Sequence, residues 1–598
     1  MIAFFSKLKP PYLLILIIAI GGFLRFYKLD WGQGLFAHPD EYHIVASVNQ
    51  LSFPNQMHPH FFSYGTVTIY LIYLTQELLK SISSVLSFQF LVPSSFLLGR
   101  FYSALFSALT IFIVYGISRT FLSTKLSLLA ALLVALIPGL IQQAHFATPE
   151  SAQIFFLFTS LLFMIRFIQH GKFLYLALAS VFLGLALGVK ISSIVFLLPL
   201  VLSIILSTYF KRHSGLSRIS NHLGDSGCAA AYQNDRKDFR SFRKPFRSIM
   251  LILTSLLTII ATFALVAPFV FLDFPAFRGN LEYEGGLAIG KIPVFYTRQF
   301  IDTIPIVFQM EKIFPYALGP VILILGIAGF ILVMLNLFQH LVHPSIKIPK
   351  LVRDDNEKMK VKLLIILSFL SLFLPNAFLF AKWTRFIAPI FPFFGIFAVI
   401  SIHALANQTK RSLYYLLTGL LIAISALWTI AFFSIYTNRD IRITASEWLE
   451  AYAKPGSSFL VEGGNTVDLP LKGNFQRISL DFYTLENDPM TREKIINALY
   501  SSDYFLVQSR RVFMNHQKLA TLYPKTSRFY DALFDGRLEF KQVIEFHSFP
   551  MLAVGSWKLE VADESAEETW SVFDHPVIRV FKKNAQLTRE EYSKFLEI

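Results

Sequence analysis

Eleven apolar runs, each long enough to cross a bilayer, limit what this chain can become. They cover roughly 11–27, 97–118, 124–142, 150–168, 172–189, 192–210, 249–272, 318–338, 363–381, 386–406 and 413–435. A helix of such length spans the ~30 Å hydrocarbon core. Composition agrees, since 54% of the residues are hydrophobic, 63 are Phe and the mean hydropathy is +0.53, well above the needs of a soluble domain. The sequence is that of a polytopic membrane protein. A weaker run at 66–82 is interrupted by Gln76, Glu77 and Lys80. The first run follows Lys7 and Lys9 and is long for a signal-peptide core, so it reads as an uncleaved anchor.

The net charge of +15 does not point to nucleic acid, because the basic residues concentrate between the spans, where they act as orientation signals. Loop 211–248 holds nine Lys/Arg against three acidic residues, and loop 339–362 holds six against three, which places both in the cytoplasm. The turns Arg119–Lys125, Arg166–Lys172 and Lys410–Arg411 fall on the same side. Segments 28–96, 143–150, 273–317, 382–385 and everything after 435 are then outside, provided 66–82 does not make a net crossing. Residues 41–82 are accordingly expected as amphipathic or re-entrant juxtamembrane helices. The Asn407-Gln408-Thr409 sequon falls on the inner side and is set aside. The single Cys228 excludes a disulfide framework and a Cys-rich metal site.

Near residue 437 the pattern changes to short strands and amphipathic helices. Strands are expected at 457–462, 477–482, 503–508, near 539–548 and 574–582, with helices near 490–500 and 528–535. The expected organisation is a membrane domain of about 11 transmembrane helices over residues 1–436, followed by a small extracytoplasmic α/β or α+β domain over 437–598.

The chemistry-bearing residues lie at the outer ends of the spans. Asp40 and Glu41 stand side by side where the first span meets water, in Ala37-His38-Pro39-Asp40-Glu41-Tyr42-His43. A carboxylate costs roughly 2.5 kcal/mol or more inside a bilayer, so such a pair is either a solvated helix start or a site. Pro39 and the acidic pair would equally well open a short helix over 41–51. Glu150, in Ala144-His145-Phe146-Ala147-Thr148-Pro149-Glu150-Ser151, is a second outer carboxylate with the same two readings. Arg100, Lys190, Lys382 and Arg385 are outer cations that oppose the orientation rule. Singly they are snorkelling side chains; together they suit a phosphate held at membrane depth. His58-Pro59-His60 sits in an aromatic-rich outer loop, either facing substrate or offering imidazole to a divalent metal with Asp40 and Glu41.

These residues resemble those of the GT-C membrane glycosyltransferases, in particular the group containing protein O-mannosyltransferases and lipid A aminoarabinose transferases (glycosyltransferase family 39-like). The likeness rests on His38-Pro39-Asp40-Glu41, the His58-Pro59 loop followed by Arg100, Thr148-Pro149-Glu150, Gly188-Val189-Lys190, and the Lys382-Trp383-Thr384-Arg385-Phe386-Ile387-Ala388-Pro389-Ile390-Phe391-Pro392 turn. Phe573-Asp574-His575-Pro576-Val577 also looks like the tail of bacterial carrier-dependent members. The resemblance implies a hexosyl- or pentosyltransferase of the cell envelope, in the plasma membrane. It would take a sugar from a polyprenyl-phosphate carrier and pass it to an acceptor protein, lipid or glycan on the outer face, as in protein glycosylation. It further implies Asp40 as catalytic base with inversion at the sugar carbon, Glu41 and Glu150 in support, and Lys190, Lys382 and Arg385 near the carrier phosphate, with His43, His58 and Arg100 on the substrate side. Some relatives carry Arg where this chain has His43. A divalent metal on Asp40, Glu41 and His58 is left open, and no other cofactor is expected. The rival readings are a multi-span transporter or lipid flippase, and a non-catalytic binding protein. No internal repeat supports the transporter, whose ionisable groups would lie near the midplane.

Overall fold

A computed structural model describes residues 9–85, 92–209, 228–342, 356–406, 408–463 and 467–596, of which 228–244, 340–342 and 356 are described by main chain alone. Most of the two basic loops, the side chain of Cys228 and residue Asn407 of the sequon therefore lie outside the description.

Each of the eleven apolar runs falls on helix. Among the described residues eight helices are long and apolar enough for a full crossing, and the bent pair Thr124–Ala135 and Pro138–Ala144 makes a ninth. Two further apolar helices, Pro10–Phe26 and Phe173–Val189, have 17 residues each. At 1.5 Å per residue they reach only ~25 Å, short of the ~30 Å core, and this is why the count by length falls below eleven. The 57° bend follows from Pro138, which lacks an N–H and forces Ile137 to an extended backbone. A Cβ at Gly139 would stand 2.6 Å from the Phe391 ring, so only glycine lets the broken span lie against that helix. The break ends the span early and buries the turn that precedes Glu150.

The outer segment expected at 41–82 contains two helices, Pro39–Asn49 and Val67–Val85, joined by an irregular stretch that holds the His58 loop. A second segment packs nearby, with helix Phe274–Ala288 following Asp273, which caps it through Ala276 N–H.

After the final span, Arg411–Thr437, the chain forms a five-stranded sheet. Its strands are β1 (Ser458–Gly463), β2 (Gln476–Asp481), β3 (Tyr504–Val507), β4 (Phe540–Phe546) and β7 (Ile578–Lys583), in the order β2-β1-β3-β7-β4. β1 runs parallel to β2 and β3, while β7 runs antiparallel to β3 and β4. Side-chain alternation gives the sheet two apolar faces. Phe459, Val461, Leu506 and Val580 pack under helix Ile441–Tyr452, and Leu460, Phe505, Val507 and Phe581 pack with helices Pro489–Ser501, Pro524–Phe534 and Arg589–Leu596. The result is the expected α/β domain, helices covering both faces of a mixed sheet. A separate hairpin, β5 (Met551–Val554) and β6 (Trp557–Glu560), stands apart from it.

The segment between that hairpin and β7 ties the sheet domain to the membrane helices. Gln142 donates to Trp570 O at 2.8 Å, Tyr436 donates to Asp574 Oδ2 at 2.7 Å, and Arg442 donates to the carbonyls of Val572 and Phe573. Inside it His575 lies buried between Asp563 and Asp574. Burial works against its charge, but the two carboxylates outweigh that and push it up to about 10, so His575 is a buried cation at neutral pH.

Candidate active site

The Pro39–Asn49 helix starts on His38, whose extended backbone and Nδ1 accept the helix entry: the Asp40 N–H donates to Nδ1 at 3.1 Å. A nitrogen that accepts an N–H bears no proton. The 3.6 Å approach of the same Nδ1 to Asp40 Oδ2 is thus not a charge pair, in accord with burial pulling the imidazole below its usual value.

Glu41 turns away from water. Arg100 grips it bidentately, Nε to Oε1 at 2.8 Å and Nη2 to Oε2 at 3.1 Å, and both side chains are fully buried. Oε1 also accepts the Ala147 N–H at 2.7 Å and Oε2 the His38 N–H, while Arg100 Nη1 donates to Leu29 O. The Phe96 and Trp31 rings cover the guanidinium. Every strong donor here is matched, so this pair joins three chain segments and leaves nothing for a ligand.

Asp40, one residue earlier and about 100° away around the helix, faces a different set. Arg385 pairs with its Oδ2, and Tyr64 donates to the same oxygen at 2.5 Å. Beside them Lys190 Nζ donates to Glu150 Oε1 at 2.8 Å and lies over the Tyr64 and Phe386 rings at 5.5 and 5.0 Å. The loop that delivers Tyr64 depends on Gly65, whose N–H donates to Val189 O and whose missing Cβ would meet Gly188 O at 2.0 Å. Burial acts to raise the Asp40 carboxyl, but Arg385, the Tyr64 hydroxyl and Lys190 together hold it below the ordinary carboxylate value. Burial raises the Tyr64 phenol well above its usual value, so it stays a donor. Unlike the Glu41 knot, this cluster is unsatisfied: Glu150 Oε2 and Arg385 Nε are buried without a hydrogen-bond partner.

The remaining sequence-derived candidates are dispersed. His43 is exposed and stacks on Phe61 at 6.0 Å. His58 Nε2 contacts Asp273 Oδ2 at 3.2 Å and its ring stacks on His60, so it serves the junction with the 269–288 segment. Lys382 donates to Thr303 Oγ1 and Phe380 O, at the contact with the sheet domain where Lys518 donates to the carbonyls of Gln299 and Ile301. Arg100, expected on the substrate side, is in the Glu41 knot. Among the described residues no group of three or more His, Cys, Asp or Glu side chains is arranged around a metal position. The set Asp40, Glu41 and His58 does not fit one, because Glu41 is committed to Arg100 and His58 to Asp273.

Sequence reasoning did not single out Tyr64, Glu284, Glu567 or Phe573. Ser63 Oγ donates to Glu284 Oε1 at 2.8 Å, and the Glu284 charge acts on Arg385. Glu567 accepts both the N–H and the hydroxyl of Thr384, the residue before Arg385, at 3.1 and 2.9 Å. Phe573 packs on the His38 ring at 4.3 Å. The tail motif around Phe573 was the one available signal, and it carried no indication of this contact.

Residues 86–224 match the family described as dolichyl-phosphate-mannose-protein mannosyltransferase. The chain resembles the GT-C membrane glycosyltransferases. Among solved structures it is similar to the Archaeoglobus fulgidus oligosaccharyltransferase in the apo form, at 12% identity over 88% of this chain and 73% of that one, with a TM-score of 0.48. It is also similar to ArnT from Cupriavidus metallidurans in the apo state, at 12% identity over 94% and 97% of the two chains and a TM-score of 0.43. The S. cerevisiae protein O-mannosyltransferase Pmt1-Pmt2 complex bound to the sugar donor aligns at 16% identity over 45% of this chain and 34% of that one, with a TM-score of 0.32. No curated protein matches the sequence.

Proposed function

We propose that this GT-C-like protein transfers a sugar from a polyprenyl-phosphate carrier to an acceptor protein, lipid or glycan on the extracytoplasmic face of the plasma membrane, with the sheet domain on that same face. The observation that carries the reading is the buried cluster of Asp40, Tyr64, Glu150, Lys190 and Arg385, with its unpartnered polar atoms, at the ends of apolar helices.

The chemistry follows from that arrangement. The acceptor oxygen or nitrogen attacks the anomeric carbon, the bond from that carbon to the phosphate oxygen breaks, and the phosphate leaves with the electron pair. Asp40 takes the acceptor's proton, giving inversion. Arg385 and Lys190 stabilise the departing phosphate. In the structure both cations are already occupied by carboxylates, and Arg385 makes Asp40 a weak base. A donor phosphate competes for Arg385, and as the guanidinium shifts toward it Asp40 gains basicity. Tyr64 holds the carboxylate oxygen in place, and Glu150 retains Lys190 close to the reacting atoms. No step is assigned to a metal.

The deciding experiment is transfer from labelled polyprenyl-phosphate sugars in reconstituted vesicles, comparing wild type with Asp40→Asn. Loss of transfer with retained donor binding supports Asp40 as base. Unchanged transfer reduces Asp40 to a helix-start residue.

A further inference from the structure

The hairpin β5–β6 is built unlike the rest of the sheet domain. Leu552 pairs with Leu559 and Val554 with Trp557, so these four side chains share one face, while Met551, Ala553, Lys558 and Glu560 share the other. The strands are joined by Gly555-Ser556, with Gly555 at φ +61°, as a tight two-residue connection requires. Among the described residues little covers the apolar face: Val554 is 74% exposed, Trp557 55% and Leu559 48%, while Leu552 is half-buried. A lone two-stranded hairpin is marginal in water unless its apolar face is buried against something.

Its position says what that is. β5 packs along the final span Arg411–Thr437, and the Met551 N–H donates to Ser434 Oγ at 3.1 Å. That helix has 27 residues, so at 1.5 Å each it is ~40 Å long and outruns the ~30 Å core by about two turns. Ser434 stands three residues before its end, in the part of the helix by which its length can exceed that core. The span is itself exposed along Leu416, Leu420, Leu427 and Ile430. The hairpin therefore stands beside an exposed apolar helix, within one turn of the end of that span. Trp is the residue favoured there, and Lys558 on the reverse face can reach phosphate headgroups. The unpaired edges of the two strands would be costly in hydrocarbon, which limits the hairpin to the headgroup layer.

We infer that the β5–β6 hairpin is a membrane-interface anchor: its Leu552, Val554, Trp557 and Leu559 face sits in the headgroup layer beside the last span and fixes the sheet domain against the bilayer. The contact is between this chain and lipid, and it does not depend on which reaction the protein catalyses.

The test uses the full chain with its single Cys228 replaced by Ala, reconstituted one copy per lipid nanodisc. A small fluorophore is placed at Val554→Cys or, on the reverse face, at Lys558→Cys. Both positions are exposed, so labelling leaves the fold intact. Quenching by headgroup-linked nitroxide lipids and by iodide in the buffer is compared between the two. The expected result is severalfold stronger nitroxide quenching at 554 than at 558, with iodide showing the reverse order. Iodide quenching at 554 equal to that at 558 overturns the anchor. Protection at 554 from both quenchers overturns it as well, because another protein surface, not lipid, would then cover the face.

Discussion

Asp40 and Glu41 are adjacent carboxylates, each paired with an arginine, and the two pairs differ in everything else. Glu41 and Arg100 meet through two bonds, are fully buried, and have their remaining donors and acceptors filled by main chain. Asp40 and Arg385 meet through one carboxylate oxygen shared with Tyr64, beside a second ion pair and unpartnered Glu150 Oε2 and Arg385 Nε. Saturation is what separates a strut from a site. A pair with no spare valence can only hold the fold, whereas one with orphaned polar atoms can exchange partners when a charged ligand arrives.

The sharpest way to break this comparison is to neutralise each carboxylate in turn. Asp40→Asn is expected to lower sugar transfer by roughly 10²–10⁴-fold, the usual worth of a general base, with a smaller loss of thermal stability than Glu41→Gln, measured by transfer rate and melting on the same preparation. Glu41→Gln is expected to do the opposite. It strands the buried Arg100 charge and should cost about 3–5 kcal/mol of stability, read as a lowered melting midpoint, and Arg100→Met in the same chain should restore part of it. Equal behaviour of the two variants would erase the distinction between strut and site.

A finer test uses pH. Since Arg385 helps hold Asp40 below the ordinary carboxylate value, a base at Asp40 stays ionised down to pH values below that range, and the acid limb of transfer lies correspondingly low. Arg385→Gln should move that limb to higher pH as well as slow transfer, and an unmoved limb would detach Asp40 from the titrating base. The same lowered carboxyl contributes stability above its unfolded value, and that contribution is lost as pH falls through the folded one. Tyr64→Phe removes a single hydrogen bond to a charged acceptor, worth about 1.5–3 kcal/mol, and should reduce transfer about tenfold together with a modest fall in the melting midpoint. His43→Ala, at an exposed side chain, should stay within about 0.5 kcal/mol in stability and leave transfer nearly unchanged. A large loss of transfer there would mean that the acceptor or donor reaches the outer face of the Pro39–Asn49 helix.

Much of this molecule was written locally. Eleven apolar runs gave helices in the expected places, and the short strand-like runs at 457–462, 477–482 and 503–508 gave β1, β2 and β3 within a residue or so of their ends. The bend at Pro138 and the helix start at Pro39 are also local, since they follow from a ring that lacks an N–H. The positions of Asp40, Glu150, Lys190 and Arg385 at span ends could be read because charge is expelled from hydrocarbon wherever the chain allows it.

Tertiary structure alone decided who meets whom. Beyond what the family resemblance implies, residue type and spacing do not distinguish Asp40 from Glu41, or Arg100 from Arg385, yet one pair closes over a separation of 59 residues and the other over 345. Lys382 looked equivalent to Arg385 three residues away and instead faces the sheet domain. Tyr64 entered the cluster through a backbone contact between Gly65 and Gly188, which no spacing rule reveals. The 563–577 segment became a platform for His38 and Thr384 only once the last span had returned the chain to the same surface. Periodicity and hydropathy act within a few turns of chain and are legible from it; long-range pairing depends on how whole helices pack, and only the folded protein fixes that.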